Sequence, residues 1–304
     1  MTPLALIAAA AALCAAAAHA APERFFDDFS YRAADELGTQ GGWALRDGPG
    51  HPGVEGARWR ADAITLADDE ASAGNRLLQL EALTDGTGPG TVQAQLCHAR
   101  KSLAGTYAAR VRFADEPVSG ADGDPVIQTF YAVSPLRFDY DPLFSEMDWE
   151  YLANGGWGSD KTRLYGITWQ TVKLQPWEAH NAPHEEFGPL GGAWRTLVMQ
   201  VDAAAGRTRW FLDGRQIAEH GGRNHPVAPM AISFNLWFSP GGLLPASAAP
   251  RVWRQQVDWV FHARNTLLSP AQVEAEVQAL RRAGVARQDT VPPAQPPLPS
   301  PCNF

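Results

Sequence analysis

The chain has only three cysteines in 304 residues, and one of them, Cys14, lies in an apolar leader. Paired CxxC steps of a zinc site are missing, as are G-x-S-x-G and a Walker phosphate loop. No run of Lys and Arg occurs, and the formal charge is −8, which argues against nucleic acid as a partner. Beyond the leader, no apolar stretch is long enough to cross a membrane. No internal repeat of fixed period is present.

The leader itself is informative. Residues 2–18 carry no acid, Lys or Arg, and an Ala/Leu-rich run closes with Ala18-His19-Ala20. This small-x-small ending predicts a signal peptide cleaved after Ala20, hence a secreted or periplasmic protein. A lipoprotein signal wants a small residue before its cysteine, and Leu13 stands before Cys14. The reading is export without a lipid anchor, as a monomer with no membrane partner. Cys97 and Cys302 remain. In an oxidising compartment they can pair and tie the tail to the body; two separate thiols are the other reading.

What is present in abundance is short strands punctuated by Gly, Pro, Asp and Asn. Candidates are residues 57–64, 76–81, 91–96, 106–113, 126–132, 147–152, 164–172, 195–201, 208–212, 230–238 and 255–262. Asp213-Gly214 between two such runs signals a two-residue hairpin. The pattern predicts an all-β, antiparallel β-sandwich jelly roll over residues 21–267. One helix stands out over 268–290. Ser269-Pro270 supplies its start, Val273, Val277 and Leu280 its apolar face, and Gly284 its end. It reads as a brace, and proline-rich residues 291–304 read as a strap.

The most telling segment is Phe144-Ser145-Glu146-Met147-Asp148-Trp149-Glu150-Tyr151. Side chains of a strand alternate between faces, so Glu146, Asp148 and Glu150 share one face. Three adjacent carboxylates repel one another, and no cation intervenes. A solvated edge would use Lys or mixed charge, and a calcium loop would bring Gly and Asn at fixed steps; neither is found. Acid/base chemistry on a glycosidic bond is the use that fits. Residues i and i+4 of a strand lie about 13 Å apart at Cα. On a concave face, two glutamates can close to about 5–5.5 Å, the spacing of a retaining mechanism. Asp148 lies between them, and the crowded charge raises the pKa of the acid that must hold a proton.

On these residues the chain resembles glycoside hydrolase family 16, the laminarinase and lichenase group, whose core is E-x-D-x-E. Flanking pieces are similar in order. They are Phe25 to Phe29, Gly105 to Phe113, Val126 to Tyr131, Trp194-Arg195-Thr196, Arg209 to Gly214, Asn235-Leu236-Trp237 and Val257 to Val260. The resemblance implies a jelly roll with an open cleft and a retaining, endo-acting attack on a polysaccharide, foremost a β-1,3 or mixed β-1,3/1,4 glucan. It implies Glu146 as nucleophile, Asp148 as its helper and Glu150 as general acid/base. It implies no cofactor, although a structural calcium without a nameable ligand set would be compatible. Phe144 stands where lichenases often carry Trp, and Arg195 where His is usual. Residues 178–187 look like an extra loop at the cleft.

Further candidates line the same expected cleft. Asn235 and Trp237 alternate with Phe234, Leu236 and Phe238, which makes Trp237 a sugar platform. Trp149 points away from the acids and belongs to the core. Trp169 shares an apolar stripe with Tyr165 and Ile167 and is also read as core, leaving Thr168 and Gln170 for the cleft. Trp157 is either a subsite platform or a loop anchor. Arg100 either orients the nucleophile or is a surface arginine. His180, His184 and Glu185 imitate a metal-binding helix, but Pro183 argues against an uninterrupted one. Two other functions fit the same acids: a transglycosylase, which shares the first half-reaction, and a carbohydrate-binding protein without turnover.

Overall fold

Alternation of buried and open positions organises the chain into strands that hide one face each. A computed structural model describes residues 23–300 and 302. The predicted signal peptide therefore lies outside the described residues. In chain order the first strands are β1 (Arg24–Asp27), β2 (Ala44–Leu45), β3 (Arg58–Trp59), β4 (Ile64–Asp68), β5 (Arg76–Thr84) and β6 (Val92–Cys97). Next come β7 (Gly105–Arg112), β8 (Val126–Val133), β9 (Glu146–Leu152), β10 (Arg163–Lys173), β11 (Glu178–Phe187) and β12 (Trp194–Asp202). The last are β13 (Arg207–Leu212), β14 (Arg215–Gly221), β15 (Ala231–Phe238), β16 (Arg251–Arg264) and β17 (Arg287–Asp289).

Two sheets stack face to face. One has the order β11-β10-β9-β8-β15-β6-β2 and carries the acids on β9. The other is built on β16, which pairs with β7 along one edge and with β5 and then β1 along the other. From β7 this sheet continues through β12 and β13 to β14. Nearly every pairing is antiparallel, as the alternating pattern predicts. Between the sheets lie Met147, Trp149 and Tyr151 from β9, Phe234 and Leu236 from β15, and Trp210 and Trp253 from the opposite sheet. Trp149 and Trp210 meet edge to face with centroids 5.0 Å apart. Gly166, in register with Trp149, lets the Trp210 ring approach; an added Cβ would meet that ring at 3.1 Å.

Local signals hold where they were strong. Asp213 and Gly214 take φ of 49° and 86°, the left-handed pair that a tight hairpin requires. Helix α1 is a single turn (Glu36–Thr39). Helix α2 (Pro270–Arg282) begins with a capping box between Ser269 and Gln272. Its Val273, Val277 and Leu280 pack on Phe26, Val198, Trp259 and Phe261, on the outer face of the sheet opposite the acids. The segment after α2 adds a strand, because β17 pairs with β1. No helix among the described residues is long and apolar enough to cross a membrane.

Candidate active site

β9 sits in the middle of its sheet, and register decides what faces its carboxylates. Glu146 opposes Val133 on β8 and Trp169 on β10; Asp148 opposes Tyr131 and Ile167; Glu150 opposes Thr129 and Tyr165. Directly opposed residues point to the same side of a sheet. All nine side chains therefore border one cleft, a cavity of about 710 Å³ that Asn235 and Trp237 also line.

This register corrects two expectations. Trp169 is not core. Its indole N–H donates to Asp148 Oδ2. Thr168 and Gln170 do not line the cleft. Thr168 faces inward and meets His220 Nδ1 at 2.9 Å, while Gln170 donates to Asn224 Oδ1 at 2.9 Å. An apolar stripe on a strand beside the acids is the cleft wall here, because the acids themselves are opposite it.

The acids are almost wholly withdrawn from water, with exposures of 9% for Glu146, 4% for Asp148 and 8% for Glu150. Burial pushes the pKa of all three well up. Neighbouring carboxylates add to this, Asp148 and then Glu150 acting on Glu146, and Asp148 acting on Glu150. The Trp169 hydrogen bond works the other way on Asp148. Asp148 Oδ1 and Glu150 Oε2 have no hydrogen-bond partner among the described residues. Buried acceptors of this kind call for a donor from whatever enters the site. Tyr131 stays a neutral hydroxyl, since burial and the charges of Glu146 and Asp148 raise its pKa strongly.

Other predicted residues are distributed as follows. Asn235 accepts from Thr129 Oγ1 at 2.7 Å and sits beside Trp237 on the cleft floor. Trp157 lines the cleft with 48% of its surface open, its ring 5.1 Å from that of Tyr165. Trp149 is in the core. Arg100 fits neither of its two readings. It is buried, does not line the cleft, and its Nη1 donates to the Pro299 carbonyl at 2.8 Å. It lies just past the end of β6, where the tail passes. Cys97 and Cys302 are joined in a disulfide with Cα atoms 5.4 Å apart.

Residues 178–187 form a strand, not a loop. β11 pairs with β10 along its length, and Ala179, Asn181, Pro183 and Glu185 face the cleft. Its polar character on both faces suits an edge strand, and so does Pro183, whose missing N–H is tolerated at an edge. His180 and His184 turn to the other face, where His184 meets Glu186 at 2.9 Å. No group of three or more His, Cys, Asp or Glu side chains among the described residues is placed to hold a metal.

Sequence reasoning missed the loop residues of the cleft. Arg46, His51 and Trp177 line it, and the His51 and Trp177 rings lie 5.7 Å apart. His51 follows β2 at one edge of the sheet, and Trp177 lies in the β10–β11 turn at the other, so this contact spans the cleft. Loop residues carry no periodic signal by which to find them.

A scan against family models and a search of curated proteins gave no match. Solved structures do match. A β-1,3-1,4-glucanase (lichenase) from a mouse hindgut metagenome superposes with a TM-score of 0.55 at 19% identity, covering 79% of this chain and 99% of its own. A glycoside hydrolase family 16 endo-glucanase from Bacteroides ovatus gives 0.56 at 14% identity, covering 78% and 98%. A structure described with endo-acting O-glycanases of human gut microbiota that initiate mucin breakdown gives 0.56 at 10% identity, covering 83% and 92%. The chain has the jelly-roll fold of glycoside hydrolase family 16 structures.

Proposed function

We propose that the protein is an exported, retaining glycoside hydrolase of family 16 type that cuts a β-glucan within the chain. The observation that carries this reading is the triplet Glu146, Asp148 and Glu150, facing one cleft between walls of aromatic side chains. Glu146 attacks the anomeric carbon while Glu150 gives its proton to the departing glycosidic oxygen. The glycosyl ester on Glu146 is then released by water, whose proton returns to Glu150. The raised pKa of Glu150 suits this sequence, since Glu150 must enter it protonated. Asp148 keeps one oxygen on the Trp169 indole and leaves Oδ1 to share a proton with the nucleophile. Trp157 and Trp237 offer flat apolar faces to sugar rings. The Cys97–Cys302 disulfide is in keeping with an oxidising compartment.

The test is a panel of barley glucan, laminarin, galactan and mucin glycans, with product masses and anomers followed by NMR. The expected result is cleavage of a β-glucan with the anomer retained, lost in Glu146→Gln. An inverted product would remove the nucleophile from Glu146. Products longer than the substrate would mark a transglycosylase, and binding without products a carbohydrate-binding protein.

A further inference from the structure

Strand register plants the disulfide on the floor of the cleft. Cys97 opposes Ser233 on β15, Ser233 opposes Tyr131 on β8, and Tyr131 opposes Asp148 on β9. Opposed residues share a face, so the Cys97 sulfur rises on the side of the carboxylates. It stands three strands away, roughly 14 Å at the usual strand spacing. Cys302, bonded to it, lines the same cavity as the three acids.

The tail is held there by more than the disulfide. The Gln95 side-chain amide donates both to the Cys302 carbonyl and to the Tyr131 hydroxyl. Arg100 donates from Nη1 to the Pro299 carbonyl at 2.8 Å and from its backbone N–H to Ser300 Oγ at 2.9 Å. Gln95 and Arg100 are each 3% exposed, so these are interior contacts, well shielded from water. Through Gln95 and Tyr131, the tail lies one side chain removed from the residue that opposes Asp148. On the other side of the acids the cleft continues past Tyr165 to the half-open Trp157.

We infer that the tail is a wall of the substrate groove, fixing how many sugar units lie on the β6 side of the scissile bond. This rests on the glycosidase reading above and narrows it. A glucan can extend freely past Trp157, but only a short stretch fits between the acids and Cys302. Each cut is still made within the chain but falls a few sugar units from one end, and releases a short fragment of narrow length range.

The experiment compares three forms of the full protein on barley glucan and laminarin. They are the native protein, the Cys97→Ser/Cys302→Ser variant, and native protein reduced after folding with its thiols capped. The last opens the disulfide without asking a variant to fold. Both opened forms are also made with Arg100→Ala, which removes the donor to the Pro299 carbonyl, and limited proteolysis within residues 291–300 establishes that the tail is free. Product lengths are read by mass spectrometry and viscosity is followed against reducing ends. The expected result is a narrow set of short products from the native protein. With the tail freed, products lengthen by at least one sugar unit and viscosity falls more steeply per bond cut. Unchanged product lengths and viscosity in an active, freed protein overturn the wall and leave the glycosidase intact. A native protein inert on both polymers and on the wider panel overturns the glycosidase reading, and the wall with it.

Discussion

Trp169 directly opposes Glu146 across the β9–β10 pair, yet its indole N–H donates to Asp148, two residues along the strand. A large aromatic side chain can reach such a diagonal neighbour. The outcome is that one tryptophan fixes the middle carboxylate of the triplet and packs beside the first. No other hydrogen-bond donor acts on Asp148 among the causes of its shifted pKa.

Trp169→Phe keeps the ring and removes the N–H. A hydrogen bond to a charged group is worth about 1.5–3 kcal/mol. Loss of that order slows turnover by roughly ten- to a hundredfold if it is felt in the transition state. We expect kcat to fall while KM changes little, and the acid limb of the pH profile to move upward as Asp148 holds its proton more tightly. Trp169→Ala should raise KM as well. A Phe variant with the parent pH profile would show that the indole does not tune Asp148.

The acids also carry a stability signature. Their folded-state pKa values lie above those of the unfolded chain. Their favourable contribution is therefore complete below about pH 4, the unfolded range, and is lost as pH rises toward the folded values. Near neutral pH the triplet costs stability. Glu146→Gln cannot ionise, so it should melt higher than the parent at pH 7, with the gain shrinking as pH falls from the raised folded value toward about 4 and gone below it. For a domain of this size, about 1 kcal/mol reads as roughly 2–4 °C. Thermal melts across pH check this, and a gain independent of pH would refute the electrostatic cause.

How far the sequence revealed this arrangement depended on whether a signal was local. Period-two alternation alone placed Glu146, Asp148 and Glu150 on one face. The Asp213-Gly214 turn and the Ser269 cap were equally legible, since a few adjacent residues determine each. Trp169 was misplaced because an apolar stripe looks the same whether it faces a core or a cleft. Only the long-range register with β9 tells them apart. β11 was hidden because an exposed edge strand need not alternate. Arg100 was misjudged because its partners, Pro299 and Ser300, are about two hundred positions away in the chain.

A second prediction about stability concerns Asp124 and Arg251. Both are fully or almost fully buried, and Arg251 Nη2 donates to Asp124 Oδ1 at 3.0 Å, with Nε on the other oxygen. The same Asp124 oxygen accepts from the Leu244 backbone at 2.9 Å, so the pair also fastens the chain just beyond β15. Arg251→Ala leaves a buried carboxylate without its cation and should cost about 3–5 kcal/mol. Arg251→Ala with Asp124→Leu removes both charges and should recover much of that loss. Denaturant unfolding of the single and double variants measures the difference; equal losses in the two would mean that the pair contributes through shape and not charge.

The contact of His51 with Trp177 leads to the last prediction. Their rings meet at 5.7 Å over the cleft, and Trp177 also stands edge-on to Trp169 at 6.0 Å. An aromatic contact of this kind is worth about 0.5–1.5 kcal/mol. It joins the loop after β2 to the β10–β11 turn and so confines a bound chain above Asp148. Burial and the nearby Arg46 charge hold the His51 pKa below its ordinary value, so the ring is neutral at pH 7 and the contact needs no charge. Trp177→Ala should leave the acids in place and release the roof. We expect KM for long glucans to rise by up to about tenfold, the equivalent of that contact energy, with kcat within about twofold of the parent. Short oligosaccharides that are cut lie under the same roof and should show the same rise. A fall in kcat with constant KM would instead place Trp177 among the groups that shape the reacting centre through Trp169.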